Sequence, residues 1–169
     1  MHDSDNSLTT EPSRDTRPGI SLGKPGMARI LIVDDDSAVR TTIKLLLERA
    51  GHSVAAASDG RSGLAQFETD EFDLLFLDIF MPAMDGIETM RLVHQQRPLV
   101  PIIVISGNPI LSDSGQMPDF LTMATKLGAV SSLQKPFKPA ALIEAVNKCL
   151  DAAKRSSASA TAPNAICRH

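Results

Sequence analysis

Phe72-Asp73-Leu74-Leu75-Phe76-Leu77-Asp78 holds five apolar residues in seven and then stops on a carboxylate. A run this short and this apolar fits a strand buried on both faces, as in a parallel sheet covered by helices. The expectation is a strand over Phe72 to Leu77, with Asp78 at its carboxyl end. Upstream, Ala28 to Val33 reads the same way, and downstream so does Ile102 to Ile105. Ser53 to Ala57 and Val130 to Leu133 are weaker strands.

Helical spacing fills the intervals. Val39, Ile43, Leu46, Leu47 and Ala50 recur at three to four residues and stop at Gly51. Leu64, Ala65 and Phe67 suggest a short helix, and Ile87, Met90, Leu92 and Val93 another. Met123, Ala124 and Leu127 fit a helix before Gly128, and Leu142, Ile143, Val146, Cys149 and Leu150 a last amphipathic one. Five strand–helix pairs predict an α/β fold, a doubly wound five-stranded parallel sheet flanked by five helices.

The ends of the chain differ from this middle. Residues 1–27 are polar and broken by Pro12, Pro18 and Pro25, which predicts a disordered tail. Residues 153–169 read as a flexible tail, leaving a domain over 28–152. Composition agrees with a packed core: 43% of the 169 residues are hydrophobic, and with no Trp or Tyr that core must be aliphatic. The net charge of −3 argues against a basic nucleic-acid-binding face. Cys149 and Cys167 lack metal-ligand spacing and read as free thiols. The start Met1-His2-Asp3 is no signal peptide, and no apolar run reaches the length of a membrane helix, so a cytoplasmic protein is expected. His52 and His94 have no partner at ligand spacing and read as structural.

Doubly wound sheets build their sites at the carboxyl ends of the strands. There this sequence sets Asp34-Asp35-Asp36 after the first strand, Asp78 after the third, Ser106-Gly107 after the fourth and Lys135-Pro136 after the fifth. Converging carboxylates repel, by about 4 kcal/mol for two charges 4 Å apart at an effective dielectric near 20. A divalent cation offsets this, and an all-oxygen set suits Mg²⁺. Lys135 adds a further positive charge. A carboxylate can attack phosphorus to give an acyl phosphate while metal and lysine neutralise the equatorial oxygens. Asp78 is the expected nucleophile, Asp34 and Asp35 are metal-side groups, and Ser106 can donate a hydrogen bond to the phosphoryl group. Asp36 or Ser37 serves as helix N-cap.

Together Ile32-Val33-Asp34-Asp35-Asp36, Leu77-Asp78 through Met81-Pro82 to Asp85-Gly86, Ile105-Ser106-Gly107 and Lys135-Pro136-Phe137 resemble the bacterial response-regulator receiver domain, over about residues 28–152. The resemblance implies the flavodoxin-like receiver fold. It implies phosphorylation of Asp78 by a sensor histidine kinase or histidine phosphotransfer protein. Mg²⁺ would be held by Asp35, Asp78 and the Phe80 backbone carbonyl, with Asp34 acting through water. Ser106 resembles the switch hydroxyl and Lys135 the phosphate-binding lysine, before a cis Lys135-Pro136 peptide. Phe80 and Asn108 occupy the positions that look over the acyl phosphate, and a bulky Phe80 is expected to exclude water and lengthen the life of the phospho-state.

Three features depart from the family pattern. Ser132 stands where an aromatic is usual, three residues before the lysine, so the usual ring–hydroxyl coupling is altered. The loop over 107–117 is longer than usual and borders the site, where it either tunes partner choice or is a tolerated insertion. After the last helix no apolar-periodic segment follows for a DNA-binding output domain. The reading is therefore a single-domain regulator that signals by protein contact with an unknown downstream partner, with homodimerisation on phosphorylation a common receiver behaviour. No nucleic acid and no membrane are expected as partners. It is not an enzyme beyond its own phosphorylation and dephosphorylation. Alternatives are a relay intermediate returning phosphate to a phosphotransfer histidine, a degenerate receiver, and a haloacid-dehalogenase-type phosphohydrolase suggested by Asp34-x-Asp36 but lacking a cap domain.

Overall fold

The computed structural model describes residues 27–81, 86–107 and 128–159. Its elements in chain order are β1 (Arg29–Val33), α1 (Ser37–Arg49), β2 (Ser53–Ala57), α2 (Gly60–Thr69), β3 (Leu74–Asp78), α3 (Gly86–Gln96), β4 (Ile102–Ser106), β5 (Ser131–Gln134) and α4 (Pro139–Ser159). The five strands form one parallel sheet in the order β2-β1-β3-β4-β5. This is the flavodoxin-like receiver fold expected above, with four helices among the described residues. The helix expected around Met123, Ala124 and Leu127 lies outside them.

The alternation of side chains along a strand sorts the core into two layers. On one face Leu31, Val33, Leu75, Leu77 and Val104 pack against Leu64 and Phe67 of α2 and Met90 and Val93 of α3. On the other, Ile30, Ile32, Leu74, Phe76, Ile103 and Ile105 pack against Ile43 and Leu47 of α1 and Leu142 and Val146 of α4. Both faces being covered explains why β1, β3 and β4 read as unbroken apolar runs while the edge strands β2 and β5 do not.

Several boundaries moved for local reasons. The third strand begins at Leu74, not Phe72, because the Asp73 carboxylate accepts the Arg29 amide at 2.7 Å and so turns the chain into the ladder. Phe72 instead stacks on Phe67, ring centroids 6.2 Å apart. Asp78 lies inside the strand, paired in register with Ile105. The fifth strand is shifted to Ser131–Gln134, leaving Val130 exposed. The last helix continues to Ser159, past the expected boundary at 152. His52 is a structural residue: it is buried, and its Nδ1 accepts the Ala28 amide at 3.3 Å. Burial, then the nearby Lys154 charge, holds its imidazole below the ordinary histidine value. Cys149 is buried on the core-facing side of α4, and burial pushes its thiol up, away from the reactive thiolate.

Candidate phosphoacceptor site

Parallel register brings the polar strand ends together. Val33 pairs with Leu77, so Asp34 and Asp78 follow as neighbours one residue beyond. On the other side Asp78 pairs with Ile105 and Ser106 with Gln134, which sets Lys135 next in line. The Lys135 amide then donates to the Ser106 carbonyl at 2.8 Å, extending the ladder by one rung. The Lys135-Pro136 peptide is cis, as expected.

Lys135 Nζ lies 2.6 Å from Asp78 Oδ2 and 2.7 Å from Asp34 Oδ2. Both carboxylates are buried. Asp78 Oδ1 accepts the Phe80 amide at 2.9 Å, and Asp34 Oδ1 accepts the Asp36 amide at 2.9 Å. Burial raises the Asp34 carboxyl above its ordinary value, against the lowering pull of Lys135 and the Asp36 amide. For Lys135 burial acts downward, but the two carboxylates together outweigh it and hold the ammonium above its ordinary value. Lys135 is thus a firm cation across the neutral range.

Asp35 completes the cluster. Asp34, Asp35 and Asp78 each bring one carboxylate oxygen within 4.8 Å of the other two. Three carboxylates face one lysine, a net negative site. Asp34 Oδ2 is fully buried, and the Lys135 ammonium is its ion-pair partner. One ammonium leaves three clustered carboxylates under-neutralised, and such a set of hard oxygen ligands fits a divalent cation of the Mg²⁺ type.

Other expected residues are placed less directly. Ser106 is buried at the end of β4, and its hydroxyl donates to the Gly107 carbonyl at 3.0 Å. Ser132 is exposed on β5, opposite Val104. Phe80 is 43% exposed, two residues beyond Asp78, and so stands at the rim rather than in the core. Asn108 and all but Gly107 of the 107–117 loop lie outside the described residues, as do Pro82 and Asp85.

Two residues of the site's framework take on roles that the sequence reading did not assign them. A Cβ on Gly86 would stand 2.1 Å from the Asp78 carbonyl oxygen and 2.7 Å from Ile79 Cα, so only glycine lets α3 begin directly against the Asp78 backbone. Arg40, one turn into α1, donates from Nη1 to the Asp34 carbonyl at 2.6 Å. Asp36 is the N-cap foreseen, its Oδ1 accepting the Ala38 amide at 2.8 Å.

A buried carboxylate bridged by a lysine to an acidic cluster, at the strand ends of this fold, is the arrangement of a receiver domain. The response regulator receiver domain family model matches residues 30–147, and the chain belongs to that family. It is 35% identical over 111 residues to the alkaline phosphatase synthesis transcriptional regulatory protein PhoP of Bacillus subtilis, covering 66% of this chain and 43% of that protein. It is 35% identical over 121 residues to the chemotaxis protein CheY of Thermotoga maritima, covering 71% of this chain and 95% of CheY. Among solved structures, the CheY-like receiver domain protein of Methanospirillum hungatei superposes with a TM-score of 0.68 at 33% identity, over 77% of this chain and 98% of that one. The chain spans less than half the length of PhoP and nearly all of CheY. Receiver domains interact with sensor histidine kinases or phosphotransfer proteins. No helix among the described residues is long and apolar enough to cross a membrane.

Proposed function

We propose that this receiver accepts a phosphoryl group on Asp78 from a phosphohistidine of a sensor kinase or phosphotransfer protein. The observation carrying the reading is the Lys135 ammonium bridging Asp78 and Asp34 at 2.6 and 2.7 Å beside a third carboxylate. An Asp78 oxygen attacks phosphorus, the phosphorus–nitrogen bond breaks, and the histidine leaves carrying its electron pair. Asp35, Asp78 and the Phe80 carbonyl would hold Mg²⁺, with Asp34 acting through water. When bound, the ion neutralises charge on the transferring oxygens. Lys135 contributes a fixed positive charge aimed at the same point. The Ser106 hydroxyl turns from the Gly107 carbonyl to the phosphoryl group. Phe80 at the rim shields the acyl phosphate from water, with Asn108 and Ser132 as further tuning positions. The chain catalyses chemistry on its own carboxylate only, and it works in the cytoplasm.

Intact-mass spectrometry after incubation with acetyl phosphate and Mg²⁺ tests the acceptor. A gain of about 80 Da is expected in the wild type, absent with EDTA and absent in Asp78→Ala. The same gain in Asp78→Ala would refute the assignment. Signalling through protein contact, without an attached output domain, rests on the near-complete match to CheY. The match to PhoP favours a second reading, a receiver within a transcriptional regulatory protein. Immunodetection in source cells separates them: a species near 18.1 kDa supports the first, and a much larger one the second.

A further inference from the structure

We infer that Arg40 is a positioning residue for the divalent-cation site, acting through the backbone between Asp34 and Asp35. The inference rests on the Mg²⁺ reading above.

The two buried carboxylates are each held by contacts of their own: Asp34 by the Asp36 amide and Lys135, Asp78 by the Phe80 amide and Lys135. Asp35 is different. It is exposed, yet its carboxylate belongs to the same cluster. Its direction is therefore set through the main chain. On one side the Asp34 amide donates to the Ala57 carbonyl at 3.3 Å, the last tie to β2. On the other, Asp36 caps α1 through its own carboxylate. Between these anchors lies the Asp34-Asp35 peptide, a rigid plane whose tilt decides where Asp35 points.

Arg40 holds that plane. Its guanidinium reaches back along α1, as helical side chains lean toward the N-terminus, and donates to the Asp34 carbonyl at 2.6 Å. The contact is partly buried and charge-assisted, which places it among the stronger hydrogen bonds. The Arg40 amide meanwhile donates to the Asp36 carbonyl at 3.0 Å, so one residue ties both ends of the turn. The contact ends on the main chain and takes up no carboxylate oxygen.

The test is calorimetric titration of the full chain with MgCl₂, with no phosphodonor present, for wild type, Arg40→Met and Arg40→Lys. Methionine keeps an apolar stem and removes the donor, and lysine keeps a charge and one donor. Arg40→Met is expected to raise the Mg²⁺ Kd about tenfold, the loss of one charge-assisted hydrogen bond, and Arg40→Lys by less than threefold. With acetyl phosphate, both variants should reach the wild-type extent of Asp78 phosphorylation once Mg²⁺ is saturating. Unchanged Kd in Arg40→Met overturns the inference alone. So does a phosphorylation defect that saturating Mg²⁺ does not recover, because Arg40 would then act on the acceptor or the fold. Circular dichroism checks folding. If the methionine variant is unfolded, Arg40→Gln replaces it, with the same tenfold expectation and the same refutation. Absence of Mg²⁺ binding by the wild type would overturn the cation site itself, and this inference with it.

Discussion

Replacing Lys135 with methionine removes the one cation that lies between two buried carboxylates. At 2.6 and 2.7 Å and an effective dielectric near 20, each pair is worth about 6 kcal/mol of gross Coulomb attraction. The net figure is smaller. Desolvating the ammonium opposes the attraction by several kcal/mol. The loss is also capped, because a stranded carboxylate can take up a proton, which at pH 7 costs about 4 kcal/mol for a group of ordinary value. Asp34, already raised by burial, needs less. The expected destabilisation is about 2–4 kcal/mol at pH 7, or a fall in Tm of about 10 °C for a domain of this size.

The pH dependence carries the sharper test. Without lysine the buried Asp34 carboxylate binds a proton more readily in the folded chain than in the unfolded one. Stability from such raised groups is full below their unfolded value near 3.8 and is lost as pH climbs through the folded value. The deficit of Lys135→Met should therefore be small near pH 4 and widest above pH 7. Millimolar Mg²⁺ should narrow it by supplying the missing positive charge. Adding Asp34→Asn to Lys135→Met should recover much of the loss, since one stranded charge is removed. Unfolding must be followed by circular dichroism, because the chain has no Trp or Tyr to report by fluorescence. A deficit under about 1 kcal/mol at pH 7, or one of equal size at both ends of the pH range, would refute the reasoning.

Gly86→Ala drives a Cβ into the backbone of Asp78 and Ile79; urea unfolding should show a loss of about 2–3 kcal/mol, and Asp78 phosphorylation measured by intact mass should slow. Asp36→Ala removes the α1 cap and should cost about 1 kcal/mol by the same unfolding assay. His52 is held neutral in the fold, so the unfolded chain takes up its proton first, and stability is lost as pH falls below the ordinary histidine value near 6.5 through the lowered folded one. Thermal melts between pH 7.5 and 5 should show this slope in wild type, and a flatter one in His52→Gln.

The central strands were legible because burial on both faces leaves an unbroken apolar run, as in Leu74 to Leu77. The edges were less so: Ser131-Ser132-Leu133-Gln134 carries little apolar signal, because an edge strand needs little. The continuation of α4 was hidden by Lys154-Arg155-Ser156, residues as common in a polar loop as at the end of a helix. In the site, Asp34, Asp35, Asp78 and Lys135 could be read from strand-end positions alone, since parallel register collects whatever stands there. Arg40 could not. Its role depends on a side chain folding back over a helix turn to a main-chain carbonyl, and an arginine at that spacing looks like any solvated helical arginine. Gly86 read as a turn signal, while its closeness to the Asp78 carbonyl exists only in three dimensions.

The strand order also decides where mechanical load from this site must go. Asp34 and Asp78 are borne by β1 and β3, each clamped between two neighbours in the sheet. Lys135 is borne by β5, which among the described residues is laddered on one side only, through four register pairs with β4. Rigid anchors and a compliant one are joined through two bonds of 2.6 and 2.7 Å. Any event that changes the pull between Asp78 and Lys135 will displace the softer member, so the outer margin of the sheet yields while its centre stays still.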